Sequence, residues 1–258
     1  MKALDERDQR RHRWALGIIV LAAVVHHCVL FLWYVDDAAI TFSYSRNLAN
    51  GEGLVPFVGG ERVEGYSNPA WTFFLVPFAF VGLDLVTLVA FLQPVMVIVT
   101  VLVTYLAGRE AFASLEEDEE SELGRTLARH APLVGPAILA VSALFATWTS
   151  AGLELALMDL LMALAIWRTL VELRTGESPW SALLWLGVTL SRPEAILYAA
   201  VAGFTTMVSQ FRAGRGVLPT VKWLGLFFVP FGLYHAWRYS YFAWELPNTY
   251  YAKMERRP

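Results

Sequence analysis

An apolar run from Trp14 to Val35, about twenty residues long, stands directly behind the cationic stretch MKALDERDQRRHR, which carries Lys2, Arg7, Arg10, Arg11 and Arg13. A helix of that length rises roughly 30 Å, the hydrocarbon thickness of a bilayer. The run is too long for a signal-peptide core and no A-x-A-like cleavage site follows it, so it predicts a retained membrane helix. Its positive end stays cytoplasmic and Asp36 emerges on the outer face. Further apolar segments cover 85–107, 132–148, 154–172, 180–190, 195–210 and 219–240. With 57% hydrophobic and only 17% charged residues, the chain is too apolar for an ordinary soluble domain. A net charge of −3 with no basic stripe gives no sign of a nucleic-acid partner.

Pro69 to Val81 is the ambiguous element. About thirteen residues rise only some 20 Å as a helix, and Pro77 interrupts them. If this helix does not cross, 13 of the 20 Lys and Arg residues fall inside; if it crosses, every later loop changes sides and the split becomes even. The non-crossing arrangement predicts an all-α, polytopic protein of the cell (inner or plasma) membrane. It has about seven transmembrane helices, the one over 180–190 being short, in a single module over 1–258. The first outer loop is 36–84 and carries juxtamembrane amphipathic helices. A cytoplasmic acidic loop, 108–131, contains the run 116–122 as a solvated stretch without chemistry. No repeat of solenoid length is present. The lone Cys28 can form no internal disulfide, and His26, His27 and Cys28 lack metal-site spacing, which makes the trio structural.

The same arrangement brings the polar motifs ThrSerAlaGlyLeuGlu (149–154), SerArgProGlu (191–194) and LeuProAsnThrTyrTyrAlaLys (246–253) to the outer side with Asp36 and Asp37. In the first loop, 36–53 predicts a short amphipathic surface helix, an Asp capping its start and Gly51 and Gly53 its end. Ile40, Tyr44 and Leu48 form its apolar stripe. Asn68-Pro69 marks a second helix start, Asn as cap and Pro first in the helix. Successive helical residues point about 100° apart, so Asp36 and Asp37 cannot both face one reacting atom. One would work as a general base, partly desolvated at the membrane edge, with Asp36 preferred of the two, and the other would cap or hold; both could equally be caps alone. Arg192 could pair with Glu194 or snorkel, or it could hold a lipid phosphate in its guanidinium fork. Lys253, with Asn248, Tyr250 and Tyr251 before it, is a second cation or an interfacial anchor. Glu64, Tyr66, Asn68 and Trp71 suit the hydroxyls and apolar faces of a sugar.

The run DDAAITFSYSRNLANGEGLVPFVGGERVEGYSNPAW closely resembles the first outer loop of membrane-embedded GT-C fold glycosyltransferases. The likeness is greatest to bacterial relatives of the terminal arabinofuranosyltransferases of the mycobacterial cell wall, whose pattern is DDA-I-F-Y-NL-G-GL, then ERV-EGY-(S/T)N-W. The three later motifs continue it. The resemblance implies an inverting enzyme that moves a sugar from a polyprenyl-phosphate carrier to a hydroxyl of a glycan, lipid or protein acceptor, with Asp36 or Asp37 as base. Arg46, Glu64, Tyr66, Asn68, Trp71, Glu154, Arg192, Asn248, Tyr250 and Lys253 would then contact substrate. Some relatives of the fold use a divalent metal, for which Asp36, Asp37 and Glu64 are the nearby candidate ligands. Members of that family are generally longer, so the chain is expected to be a fragment or a minimal module needing a partner. Two rival readings are a non-catalytic flippase or transporter for a lipid-linked sugar, and a truncated assembly partner of a glycosyltransferase.

Overall fold

The computed structural model describes residues 6–30, 34–118 and 121–244. All regular structure among them is helical. The chain runs α1 (Glu6–Leu30), α2 (Asp36–Ala49), α3 (Pro69–Phe80), α4 (Leu85–Asp118), α5 (Glu122–His130), α6 (Val134–Val141), α7 (Ala143–Thr149), α8 (Leu155–Thr175), α9 (Ser181–Ser191), α10 (Ile196–Arg212) and α11 (Leu218–Phe242). Single 3-10 turns at Ala131–Leu133 and Pro193–Ala195 precede α6 and α10.

Two of these helices, α1 and the Leu85–Ala113 part of α4, are long and apolar enough to cross a bilayer, and the bent pair Glu122–Val141 plus Ala143–Thr149 makes a third if it counts as one span. On α1 the exposed face is Trp14, Ile18, Leu21, Val25 and Val29, a stripe at helical spacing that water would not tolerate and lipid would. The expectation of about seven spans is therefore corrected to two or three. The shortfall has local causes. α8 carries Asp159, Arg168 and Glu172 within one span length, α9 has only 11 residues, and α10 has 17. The 132–148 segment is bent by 63° at Ser142, where the backbone turns extended and the Ser142 side chain caps α7 by accepting from Phe145 N–H at 3.2 Å. α3, with 12 residues, is too short to cross, as the sequence predicts. The region expected as an acidic loop is largely helical, since α4 continues to Asp118 and α5 follows.

Three helical cores hold the frame. α8, α9, α10 and α11 meet around Trp185, Val188, Trp223 and Phe227, where Ala182, Ala195 and Ala199 let the backbones approach closely. A second core joins α2, α3, α4 and α8 through Phe42, Trp71, Leu75, Val89 and Leu157. A third packs Ala23 of α1 on Val97, Val101 and Ala140. His26 and His27 belong to this side, bonding the Ala140 carbonyl at 3.1 Å and Thr149 Oγ1 at 3.2 Å, which bears out their structural reading. The α8–α9 hairpin is closed by buried Glu172, which accepts from Ser181 N–H at 2.8 Å and from Arg168 Nε at 2.9 Å.

The first loop is fastened to the rest at two glycines. Gly53, at φ +86°, lies under the Tyr241 hydroxyl, which accepts from Leu54 N–H at 3.0 Å. Gly152, at φ +81°, lies against the Tyr34 ring, so that a Cβ would come within 2.3 Å of Tyr34 Cδ1. The ring is pinned, because its hydroxyl donates to the Val86 carbonyl at 2.8 Å. Gly152→Ala is therefore expected to lower stability by about 1–2 kcal/mol for the left-handed backbone alone, with the ring clash added. Thermal unfolding in detergent should show a Tyr34→Ala/Gly152→Ala double variant recovering the clash portion and leaving the backbone portion.

Candidate functional site

The first-loop helix begins differently from its sequence expectation. Val35 takes the cap position in extended backbone, with its N–H bonded to the Ala151 carbonyl at 3.1 Å and its own carbonyl accepting from Ala38 N–H. Asp36 is thereby already helical, and neither Asp caps the helix; Asp36 Oδ1 lies 3.1 Å from Asp37 N. Both carboxylates are exposed. The buried stripe of α2 is also displaced. Of the expected apolar stripe Tyr44 is buried inside the protein and Ile40 is exposed, and Ala38, Thr41, Phe42 and Ser45 face inward. Thr41 Oγ1 donates to Asn68 Oδ1 at 3.3 Å and Ser45 Oγ to the Thr72 carbonyl at 2.9 Å. Asp37 lies one turn before Thr41 on this α3-facing stripe, and Asp36 does not.

Asn68 occupies the cap position of α3, followed by Pro69 as predicted, but its side chain does not cap the helix. Its amide instead donates to Glu154 Oε2 at 2.7 Å, and its Oδ1 also accepts from Thr72 Oγ1 at 3.2 Å. Glu154, at the start of α8, accepts on its other oxygen from Arg192 Nη1 at 3.2 Å. Arg192 lies in extended backbone between α9 and the Pro193 turn, and its Nε donates to Glu194 Oε1 at 2.5 Å. Three motifs far apart in sequence thus share one cluster. The guanidinium has five donors, and its Nη2 has no partner among the described residues.

Beside this cluster, Glu64 forms an ion pair with Arg238 of α11. Arg238 Nε donates to Glu64 Oε2 at 2.7 Å, and both side chains are 4% exposed. Burial pushes the Glu64 carboxyl above its ordinary range, and the guanidinium draws it part of the way back. A cavity of about 180 Å³ opens here. Its polar wall is Glu64, Ser67, Thr189 and Arg238, its apolar wall Leu190, Ile196 and Phe231, and Tyr234 and His235 complete it. Ser67 and Pro69 flank Asn68 and Pro193 follows Arg192, so the cavity adjoins the Asn68–Glu154–Arg192 cluster.

The remaining predicted residues divide by burial. Trp71 is fully buried, stacked on Phe74 with its Nε1 donating to the Gly152 carbonyl at 3.3 Å, and belongs to the core rather than to an open sugar face. Tyr66 is likewise buried, edge-on to Tyr44 and Phe242, in the small core that seats the loop on the end of α11; burial raises its hydroxyl pKa. Arg46 is exposed in the last turn of α2 and donates weakly to the Phe42 carbonyl at 3.4 Å. Asn248, Tyr250 and Lys253 lie outside the described residues. Asp36, Asp37 and Glu64 form no metal-ligating group with each other, Glu64 being taken by Arg238, and no cluster of three or more His, Cys, Asp or Glu suited to a metal occurs among the described residues.

Arg238 and His235 are absent from the sequence-based candidates. The available signal was an arginine and a histidine inside the 219–240 apolar segment, since ionisable groups in such segments are functional candidates by default. No protein-family model, no curated protein and no solved structure matches this chain.

Proposed function

We propose that this membrane protein is a glycosyltransferase of the GT-C type, moving a sugar from a polyprenyl-phosphate carrier to an acceptor hydroxyl on the outer face. The observation that carries the reading is the joining of Asn68, Glu154 and Arg192, from three separate motifs, beside a cavity whose wall passes from apolar to charged. An amphiphile with a phosphate between its lipid and its sugar matches such a wall. The resemblance of the first loop supplies the reaction class.

In the proposed step the Asp37 carboxylate takes the proton of the acceptor hydroxyl as its oxygen attacks the anomeric carbon. The bond from that carbon to the phosphate oxygen breaks on the opposite side, which inverts the centre. The electron pair leaves with the lipid phosphate, and the free edge of Arg192 stabilises its charge. Phosphate leaves without a proton from the enzyme, so one working carboxylate suffices where a glycosidase uses two. Asp37 is the better placed of the pair because it shares the α3-facing stripe with Thr41, which bonds Asn68.

The test is transfer by the full chain in proteoliposomes supplied with a radiolabelled polyprenyl-phosphate sugar and a hydroxyl acceptor. Label should pass covalently to the acceptor with release of polyprenyl phosphate, and the same carrier should appear by mass spectrometry among copurifying lipids. Movement of the intact lipid-sugar between leaflets with no covalent transfer would overturn the proposal in favour of a carrier.

A further inference from the structure

A second cavity, of about 340 Å³, opens between the start of α1 and the far part of α4. Its wall is Gln9, His12, Arg13 and Leu16 from α1 and Tyr105 and Arg109 from α4. Spacings of three, four and seven residues put the α1 members on one helix face, and a spacing of four does the same on α4. Tyr105 stands about 30 Å along α4 from its Leu85 end, near which Tyr34 bonds Val86, so this cavity lies roughly a bilayer's thickness from the outer cluster. Its volume falls within the about 300–1,000 Å³ of small-molecule sites.

The wall is fixed and positively charged. Buried His12 has both ring nitrogens engaged, one 2.9 Å from the Tyr105 hydroxyl and the other 3.0 Å from His130 Nδ1, so the ring cannot swing into the cavity without breaking two bonds. Among the described residues no carboxylate lines the cavity. The nearest acids on the same helices are engaged elsewhere, Asp8 by Arg129 and Arg11 and Glu110 by Arg174. Arg13 and Arg109 have no carboxylate partner among the described residues. Two guanidinium forks with no carboxylate partner among the described residues, Arg109 being hydrogen-bonded only to the Tyr105 hydroxyl in the same wall, face one small volume and form an anion receptor suited to phosphate. The exposed apolar stripe of α1 begins at Trp14, which sets the cavity at the depth of lipid headgroups.

We infer that this cavity binds a phosphate group, carried either by an anionic lipid headgroup or by a soluble phosphomonoester. The inference is independent of the outer site and of the reaction proposed there. It is tested by calorimetry on the full chain in zwitterionic detergent at matched ionic strength, with short-chain phosphatidic acid, glycerol 3-phosphate and short-chain phosphatidylcholine as probes. Saturable binding of one or both phosphates is expected, with none of the phosphatidylcholine. Arg13→Gln/Arg109→Gln should weaken it at least tenfold, and Arg10→Gln, an exposed arginine outside the cavity, should leave it unchanged. Phosphatidic acid alone would identify a lipid site, glycerol 3-phosphate alone a soluble ligand, and both the phosphate group itself. If the double variant fails to fold, the single variants carry the test, each expected several-fold weaker. Absence of saturable binding, binding unchanged in the arginine variants, or an equal loss in Arg10→Gln would overturn the inference.

Discussion

Asp37→Asn is expected to slow sugar transfer by about 10²- to 10⁴-fold, the usual contribution of a general base. Asparagine keeps the size of the side chain and its place on the α3-facing stripe, but it cannot accept the hydroxyl proton. The donor should bind as before, since the proposed loss is confined to the transition state and appears in kcat. Asp36→Asn should cost much less, because Asp36 lies off that stripe and its Oδ1 faces the Asp37 N–H, a bond an amide oxygen can also accept. Steady-state transfer by the two variants, each in the full chain, separates the roles. Undiminished turnover in both would remove the base from the proposal, and a loss confined to Asp36→Asn would exchange the two residues.

How far the fold could be read in advance depended on how purely apolar each segment is. α1 and α4 were legible because a charge-free run of span length has few other solutions in a folded chain. α8 was less so, since Asp159, Arg168 and Glu172 interrupt its hydropathy, and what becomes of such residues is decided by partners far away. Glu172 meets Ser181 across a helical hairpin, a contact no periodicity announces. The site shows the same division. Asn68, Glu154 and Arg192 stood out individually as polar residues beside apolar segments, but the bond between Asn68 and Glu154 joins positions 86 apart. Local rules also misplaced groups at helix starts. Asn68 has the residue type and position of a cap, yet its Oδ1, the atom that would accept from a backbone N–H, accepts instead from the Thr41 and Thr72 hydroxyls while its amide donates to the buried Glu154 carboxylate. Trp71 opens an apolar run just after the polar Ser67 and Asn68 and is core, stacked on Phe74 and bonded to the Gly152 carbonyl.

Arg238→Gln should be the most disruptive substitution of a charged residue, destabilising the protein by about 3–5 kcal/mol, the cost of breaking a buried ion pair from one side. The intact pair need not be strongly stabilising, because desolvating two charges offsets much of their attraction. Its removal from one side is severe because Glu64 is left buried without its cation. The pH dependence follows from the sign of the Glu64 shift. Burial already raises its pKa, and the guanidinium that opposes the rise would be gone, so in the variant the folded-state value lies further above the unfolded one of about 4.3. A carboxyl raised in this way favours the folded state fully below the unfolded pKa and progressively less as pH climbs through the folded one. The deficit of Arg238→Gln relative to the parent chain should therefore be small in acid, where Glu64 is protonated in both states, and reach its full size above the raised pKa. Adding Glu64→Gln should restore most of the loss at neutral pH, since the charge that has no partner is then absent. Thermal unfolding in detergent across pH 4 to 8 distinguishes this from a packing defect, which would lower the midpoint equally at every pH and would not be rescued by the second substitution.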